Sequence, residues 1–300
     1  MTETALPAPA VRAWVGPLML LGGGVVIGFA PIGLRLGLDD LGPQAIAFWR
    51  YAFAFPVLVL LFAAVERRLP KAPDKFILIA GTCFAVDMGL WHFALTQTSV
   101  ANATFLVNLG NVAVGFTAWF FLKERPKTIW FWAVLLAVIG AAALSLGGKT
   151  GGQTSLRGDV IALGAAIAVS GYLLFSKLAR RTFSGLEAIM WLTMVEILVA
   201  GVIVALSGEA FFPAALSGFA APFFLGVCVH VAGQGLIISG LGRTPTAIAG
   251  VLVLIQPVVA AAVSWQMFHE PMTSVQAAGS ALILFAVWLS QTGRRPQAVD

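Results

Sequence analysis

Two carboxylates, Asp87 and Glu196, lie inside long apolar stretches of the sequence. A buried carboxyl group is costly unless it is protonated, paired or in contact with water. Because groups in such positions carry protons in many membrane proteins, both residues are candidates for binding and releasing a proton. A structural role is the alternative for each, and Asp87 could pair with Arg50 to hold two helices together.

Aromatic and amide side chains accompany Asp87 at helical spacing. Trp91 follows it by four residues and shares its helix face, and His92 is adjacent to that face. Asn108 and Asn111 are three residues apart and also share a face. Because an amide both donates and accepts hydrogen bonds, this pair could bind the ammonium and the carboxylate of a zwitterion. Hydrogen bonding between helices, worth about 0.6 kcal/mol on average in membranes, is the structural alternative.

The second half of the chain offers further polar groups. His230 and Gln234 are four residues apart and would share one face of a helix. The Gln256-Pro257 pair interrupts another apolar segment, because proline lacks an N–H and frees a carbonyl one turn back. Broken helices of this kind line binding sites in membrane transporters.

Tyr172 and Ser170 lie in an intervening apolar segment and could face the same cavity. The candidate substrate-binding residues are therefore Trp91, His92, Asn108, Asn111, Tyr172, Ser170, His230, Gln234 and Gln256, with Asp87 and Glu196 as possible proton-coupling groups. The sequence contains no motif of a hydrolytic nucleophile or a nucleotide site, and its two cysteines, Cys83 and Cys228, fall within apolar segments. We therefore expect no cofactor, no metal and no catalytic residue.

The elements that position these residues must be membrane-spanning helices. The 300 residues are 59% apolar and only 10% charged, with a mean hydropathy of +0.94, whereas soluble domains carry about 25% charged residues. Such a chain must be covered by lipid, and each crossing takes about 20 apolar residues. Breaks at charged, Gly and Pro residues predict ten helices, near 14–34, 44–65, 76–96, 100–122, 128–147, 158–178, 186–206, 218–240, 245–267 and 273–292.

The basic residues predict how the helices are oriented. With both termini in the cytoplasm, the cytoplasmic side holds most of the 18 Lys and Arg residues, namely Arg12, Arg67, Arg68, Lys71, Lys75, Lys123, Arg125, Lys127, Lys177, Arg180, Arg181, Arg243, Arg294 and Arg295. The opposite side keeps only Arg35, Lys149 and Arg157, and Arg50 lies within the second helix. This is the distribution of the positive-inside rule. It accounts for the net charge of +5 and the pI near 9.6 without a nucleic-acid partner.

The sequence also repeats itself. A shift of 146 positions places WFFLKERP (Trp119–Pro126) on WQMFHEPM (Trp265–Met272), and a shift of 142 places Arg35 on Lys177. Chance similarity between apolar segments is the alternative, but the ordered matches of Trp, Glu and basic residues favour a repeat of five helices. Because five is odd, the second copy must cross the membrane upside down relative to the first. Inverted repeats are common in secondary transporters, whose sites lie near the midplane between the halves.

These motifs carry a family resemblance. The segment ALTQTSVANATFLVNLGNVAVGFTAWFFLKERP (Ala94–Pro126) resembles the signature of the EamA-type drug/metabolite transporter superfamily, and LIQPVVAAAVSWQMFHEP within Thr246–Pro271 resembles it again. Within the superfamily the chain is most similar to the YddG-type aromatic amino acid exporters. One departure is that the first copy has Asn111 where the second has Pro257, so we expect a milder helix break in the first half.

The resemblance implies a fold of ten helices as two inverted five-helix repeats. We expect residues 14–147 and 158–292 to be the repeats, and residues 1–13 and 293–300 to be cytoplasmic tails of a multi-pass protein of the bacterial inner membrane. It further implies a monomeric secondary transporter that exports aromatic or apolar amino acids and related metabolites. The substrate would occupy a cavity formed by the first, third, fourth, sixth, eighth and ninth helices, and the halves would rock around it. Its partners would be a small-molecule substrate and the lipid bilayer.

Three alternatives remain open at this stage. An exporter of another metabolite or drug class belongs to the same superfamily, although a sugar-phosphate carrier would need several Lys or Arg side chains in the cavity and only Arg50 lies at depth. An intramembrane enzyme would need a nucleophile and a base within reach. A channel would need a ring of pore residues from an oligomer. With no nucleotide motif, the energy for transport would come from a gradient of the substrate or of protons.

Overall fold

A computed structural model of the chain shows ten helices long and apolar enough to span a membrane, and it contains no strand among the residues that it describes. The structure describes residues 14–98, 100–146, 155–269 and 272–292. The helices are α1 (Val15–Gly37), α2 (Pro43–Glu66), α3 (Lys75–Ala94), α4 (Val100–Leu122), α5 (Thr128–Leu146), α6 (Leu156–Ala179), α7 (Gly185–Ser207), α8 (Leu216–Leu241), α9 (Thr246–Phe268) and α10 (Ser274–Thr292). The all-helical, ten-helix prediction is confirmed. The predicted tails, residues 1–13 and 293–300, lie outside the described residues.

The helical form follows from the solvent. Lipid offers no hydrogen bonds to the backbone, so each crossing must satisfy its own N–H and C=O groups, and a helix does this within one segment. At 1.5 Å per residue, about 20 residues cover the 30 Å of hydrocarbon. Two helices that start at the same end of the bundle are capped by side chains. Asp74 accepts hydrogen bonds from the N–H groups of Phe76 and Ile77 at 3.0 Å, and Ser184 accepts one from Glu187 at 3.1 Å.

The packing of the helices has an internal two-fold relation. Each helix of the first unit corresponds to the helix five positions later in the second unit. The contact of α3 with α6 then corresponds to that of α8 with α1, the contact of α4 with α6 to that of α9 with α1, and the contact of α3 with α7 to that of α8 with α2. The contacts of α2 with α7, α4 with α9 and α5 with α10 map onto themselves. Two five-helix units therefore pack around a common axis, and successive antiparallel helices make the second unit inverted.

Three helices depart from a regular α-helix. α1 consists of Val15–Ile27 and Ala30–Gly37, and α9 consists of Thr246–Val253 and Ile255–Phe268. The α9 break falls just before the Gln256-Pro257 pair, whereas α4 runs through Asn111 as one helix, so the expected difference between the two signatures is present. α8 begins as a 3-10 turn and contains a π-helix over Leu225–Gln234. Three helices end in a left-handed residue, since Arg67 follows α2 with φ of 49°, Lys123 follows α4 with φ of 56°, and His269 follows α9 with φ of 53°.

Glycines set the closest approaches of the helices. A Cβ added at Gly140 of α5 would lie 2.8 Å from the carbonyl oxygen of Gly279 in α10, and one added at Gly279 would lie 2.6 Å from that of Gly140. A Cβ at Gly250 of α9 would collide with the backbone carbonyl of Asn111 in α4. Small residues allow such backbone contact between membrane helices.

Candidate functional site

A central cavity lies between the two five-helix units. It holds about 970 Å³ of atom-free space, including its mouth, and is lined by residues of α1, α2, α3 and α4 from the first unit and of α6, α8 and α9 from the second. These are the six helices named in the sequence analysis together with α2. Most of its wall is apolar, with Phe84, Met88, Trp91, Leu173, Ile237 and Val253 among the lining side chains.

Most of the predicted site residues line this cavity. Those present in its wall are Asp87, Trp91, Asn108, Asn111, Tyr172, Gln234 and Gln256. They come from α3, α4, α6, α8 and α9, so helices from both units bring them together. Asp87 with Trp91, and Asn108 with Asn111, each line the cavity as a pair from one helix.

Three of the four amides in the described cavity wall make side-chain hydrogen bonds. The Asn111 side chain donates to Asn108 Oδ1 at 3.2 Å, and Asn108 donates to the Thr104 carbonyl one turn earlier at 2.9 Å. Across the cavity, Gln234 of α8 donates to the hydroxyl of Tyr172 on α6. Each of these amides has more donors and acceptors than these bonds use, so the pairs fix the side chains while leaving hydrogen-bonding capacity.

Arg50 is a lining residue that the predicted set lacks. It lies on α2, is 4% exposed, and is the one cation among the described residues of the cavity wall. The suggested pairing of Arg50 with Asp87 is absent, since no ion pair within 4 Å joins these two described residues. A lone arginine deep in an apolar helix is itself a signal of a functional position.

Four predicted residues lie outside the cavity wall. Ser170 is two positions before Tyr172, which places it on another face of α6, and its hydroxyl is 3.5 Å from that of Thr117. His92 lines a smaller recess of about 280 Å³, which shares Arg50 and Trp91 with the main cavity. His230 and Glu196 face each other behind the wall. The π-helix accounts for His230, because its wide turns change the angle between His230 and Gln234 from that of an α-helix.

His230, Glu196 and Thr193 form a buried polar cluster between α8 and α7. His230 Nε2 lies 3.3 Å from Glu196 Oε2 and 2.8 Å from Thr193 Oγ1, and all three side chains are fully buried. Thr193 donates its proton to the Ile189 carbonyl at 2.8 Å, so its oxygen accepts from His230. Nε2 therefore carries a proton, while His230 Nδ1 has no partner among the described residues.

One end of the bundle carries most of the described basic residues, and we call it the basic end. There Lys177 of α6 donates to the carbonyls of Leu241 at 2.8 Å and Thr244 at 2.7 Å, which flank the turn between α8 and α9. Glu124, at the end of α4, accepts from the Thr246 N–H at 2.9 Å on the same turn. The turn is thus held by α6 and by the α4–α5 connection.

A second contact closes the other side of the basic end. Arg68 pairs with the fully buried carboxylate of Glu187 at 2.6 Å, and Glu187 also accepts from the Lys71 N–H at 2.6 Å. The Trp191 indole donates to the Lys71 carbonyl at 2.9 Å. Hydrogen bonds to Glu187 raise the pKa of Arg68 above its usual value, so the guanidinium stays charged at any physiological pH. The α2–α3 connection is therefore fixed to the start of α7.

Comparison with known proteins identifies the family. The EamA-like transporter family matches the sequence twice, at residues 14–146 and at residues 156–292. The chain belongs to the EamA-like transporter family. The two matches coincide with α1–α5 and α6–α10, so the units related by the contact pattern are two EamA-like repeats, consistent with inverted repeats. The family and its relatives are named transporters, which favours transport over enzymatic activity.

Three Bacillus subtilis (strain 168) proteins are similar over most of their length. They bear the names uncharacterized transporter YwfM, YetK and YvbV. YwfM is 24% identical over 80% of this chain and 81% of its own. YetK is 22% identical over 91% of this chain and 84% of its own. YvbV is 24% identical over 80% of this chain and 80% of its own. These bacterial EamA relatives fit a multi-pass protein of a plasma membrane.

The EamA fold also occurs among solved structures. One crystal structure superposes on this chain with a TM-score of 0.80 and 16% sequence identity, covering 92% of this chain and 97% of the other. At that identity the likeness concerns the fold. The whole ten-helix arrangement, and not one repeat alone, is therefore shared.

Proposed function

We propose that this EamA-family chain is a secondary transporter of the YddG type, which exports amino acids with aromatic or other apolar side chains, and related metabolites, by alternating access. The observation that carries the proposal is the central cavity, where neutral amides lie beside aromatic and aliphatic walls. A concave, mostly apolar wall with a few convergent polar groups is typical of small-molecule sites. Amides suit the polar groups of an amino acid, and the apolar wall suits its side chain.

Counterflow in proteoliposomes tests the substrate. Vesicles loaded with unlabelled Phe, Trp, Met or Thr should accumulate the same labelled amino acid, with Phe and Trp the strongest. Gln256→Leu, in the cavity wall, should slow counterflow at least tenfold, whereas Gln291→Leu, on α10 and outside the wall, should not. If no amino acid shows counterflow, the amino acid proposal is wrong, and accumulation of a sugar phosphate would favour the alternative of a sugar-phosphate carrier. Efflux from loaded cells tests the direction.

The basic end faces the cytoplasm in this proposal, as the positive-inside rule expects. The contacts of Lys177, Glu124 and Arg68 then close the cytoplasmic side. The cavity lining itself reaches toward both ends, since Trp91 lies in the last part of α3, away from the basic end, and Ile237 lies in the last part of α8, toward it. The contacts that close the basic end therefore carry the assignment of this structure, in our proposal, to the outward-facing state of the transport cycle.

One contact recurs at both ends of the bundle. A Cβ added at Gly16, at the start of α1, would lie 2.8 Å from the carbonyl oxygen of Arg243 in the α8–α9 turn. A Cβ added at Gly158, at the start of α6 and 142 positions later, would lie 2.9 Å from the carbonyl carbon of Gln97 in the α3–α4 turn. Each unit therefore presses its first helix against a turn of the other unit, as an inverted repeat requires.

The Lys177 contact supplies a way to alternate the closure. Lys177 donates to the carbonyls of Leu241 and Thr244. In the first repeat, Arg35 corresponds to Lys177 at the shift of 142, and Leu95 and Thr98 correspond to Leu241 and Thr244 at the shift of 146. Arg35 here lies over the ring of Phe268, 4.1 Å from its centroid. In the inward-facing state, we propose, Arg35 takes the place of Lys177 and donates to the carbonyls of Leu95 and Thr98, which closes the outer end.

In this proposal the ion whose gradient drives transport is a proton, and Glu196 binds it. Asp87 is the second candidate for the residue that carries the proton. Glu196 faces His230 at 3.3 Å and is sealed from the cavity in this state. The other charged or titratable groups that act on it or sense its charge are Arg50 and Tyr51 of α2 and Tyr172 of α6. A buried carboxyl group that must gain or lose a proton when its surroundings open links protonation to the conformational change.

A pH-jump flux assay tests the coupling. Glu196→Gln should abolish the response of transport to an imposed pH gradient, because its amide cannot titrate. Asp39→Asn, on an exposed carboxylate, is the matched control and should respond like the wild type. If Glu196→Gln and Asp87→Asn both keep the full pH response, neither carboxylate carries a coupling proton.

A further inference from the structure

Arg50 is a buried cation without a partner at the wall of the central cavity. It is 4% exposed, and no hydrogen bond or ion pair within 4 Å joins its guanidinium to another described side chain or carbonyl. Its Nε is fully buried and unpaired. Tyr51, the adjacent residue, lies with its ring centroid 6.0 Å from the guanidinium carbon, too far to satisfy any donor. A guanidinium has five donors, and leaving them unused in an apolar bundle is costly.

Asp87 presents a carboxyl group to the same cavity. It lies on α3, is 5% exposed, and its Oδ1 has no partner among the described residues. Two opposite charges that served only to hold α2 against α3 would be expected in direct contact, since contact offsets the desolvation of both. Arg50 and Asp87 are instead held apart on one cavity wall, which leaves each free to bind an oppositely charged group.

The charges also break the symmetry of the scaffold. At the shift of 142 that relates Arg35 to Lys177, the equivalent of Arg50 is Leu192. At the shift of 145 that relates Cys83 to Cys228, the equivalent of Asp87 is Ala232. A pair needed to build either five-helix unit would be expected in both. Its presence in one unit alone fits the recognition of a solute that has two different ends.

We propose that Arg50 binds the carboxylate of the substrate and Asp87 its ammonium, so that the cavity takes zwitterionic α-amino acids with apolar side chains. This inference rests on the proposed function and deepens it. Guanidinium and carboxylate groups match in a bidentate geometry, which gives an orientation as well as affinity. Phe84, Met88, Trp91 and Leu173 in the wall would receive the side chain. A phosphate, with about two negative charges, would lack a second cation among the described lining residues.

Four ligands with the same carbon skeleton, which keep both, one or neither of the charged groups, test the inference on the full-length protein in nanodiscs. They are phenylalanine, phenylalaninamide without the carboxylate, 3-phenylpropionate without the ammonium, and 3-phenylpropanamide without either. The wild-type protein should bind phenylalanine at least tenfold more tightly than any of the other three, because each lost charged contact weakens binding by about tenfold or more.

Two substitutions should give crossed patterns. Arg50→Gln should weaken the binding of phenylalanine at least tenfold and leave the binding of phenylalaninamide unchanged. Arg50→Lys should restore part of the lost phenylalanine affinity. Asp87→Asn should weaken the binding of phenylalanine and of phenylalaninamide, and it should leave the binding of 3-phenylpropionate unchanged. A variant that merely folds poorly loses all ligands together, so the crossed pattern separates recognition from structure. Arg67→Gln removes an exposed arginine at the end of α2 and should match the wild type with every ligand.

The outcomes distinguish this inference from the function on which it rests. If the wild-type protein binds and transports phenylalanine and Arg50→Gln binds it equally well, the inference is overturned and the transport proposal stands. If Asp87→Asn weakens 3-phenylpropionate as much as phenylalanine, the ammonium role of Asp87 is overturned. If the wild-type protein binds none of the four ligands and gives no amino acid counterflow, both proposals are overturned.

Discussion

Replacing Lys177 by Met should release the basic end of the bundle. Lys177 donates two charge-assisted hydrogen bonds, to the carbonyls of Leu241 and Thr244. Such bonds contribute about 1.5–3 kcal/mol each. The ammonium is only half-buried and regains water when the turn moves away, so the net change for both bonds is closer to the value of one. A shift of about 1.5–3 kcal/mol changes the ratio of the two states by about 10- to 150-fold.

A cysteine in the turn reports that ratio. The native cysteines, Cys83 and Cys228, are first replaced, and Thr244→Cys then places a thiol at a position that is 1% exposed. This substitution keeps the Thr244 carbonyl that Lys177 binds. A membrane-impermeant maleimide applied from the basic side reacts only when the turn opens, so its rate follows the open population. Lys177→Met should raise the rate about 10- to 150-fold.

The repeat-equivalent substitution should act in the opposite direction. Arg35→Met should lower the labelling rate at position 244, because it removes the group proposed to hold the state that is open at the basic end. Lys75→Met removes an exposed lysine at the start of α3 and is the matched control for charge. A labelling rate in Lys177→Met equal to that in Lys75→Met would refute the role of Lys177. A rate in Arg35→Met that does not fall would refute the exchange.

Three further predictions concern packing and the cavity wall. Gly279→Ala should destabilise the protein by about 1–3 kcal/mol in a detergent unfolding assay, because its Cβ would lie 2.6 Å from the Gly140 oxygen. Gly22→Ala is the control, since the atom nearest to its Cβ would be 3.7 Å away, and it should change stability by less than about 0.5 kcal/mol. Trp130→Phe should cost about 1–3 kcal/mol by removing the buried hydrogen bond of 2.8 Å to the Ala247 carbonyl, and the exposed Trp132→Phe should be neutral; equal melting temperatures would contradict this. Trp91→Leu should weaken binding of phenylalanine about 2- to 10-fold relative to leucine, as expected for a lost aromatic contact, and lipid-exposed Trp119→Leu should change neither.

The fold was largely predictable because lipid leaves few choices. Each apolar stretch of about 20 residues must be a helix, and short connections make neighbours antiparallel. The matches that place Arg35 on Lys177 and Trp119 on Trp265 indicated the repeat, and the contact pattern of the helices has the same relation. The break in α9 was predictable from Pro257, which cannot continue the hydrogen-bond ladder.

The site was predictable only in part, because apolar helices have no face that the sequence marks as inward. Spacing placed Asp87 and Trp91 on one helix face, but it could not tell which neighbouring helices that face would contact. The π-helix then changed the expected relation of His230 to Gln234, and nothing in its sequence announces wide turns. Arg50 was visible as a lone cation at depth, yet interpreting it as a partner of Asp87 removed it from the predicted set.

The charged groups are divided between the repeats in a way that connects binding to motion. Arg50 and Asp87 lie in the first unit and face the cavity, whereas Glu196 and His230 lie in the second unit and face each other behind its wall. Tyr51, next to Arg50, packs edge-on against the His230 ring with centroids 5.3 Å apart. A substrate carboxylate that moves the Arg50 side chain would therefore also move Tyr51, which packs against the Glu196–His230 pair. If this contact couples the two, Tyr51→Ala should leave the selectivity for zwitterions intact and reduce the response of transport to pH. Loss of both together would place the coupling in the cavity itself.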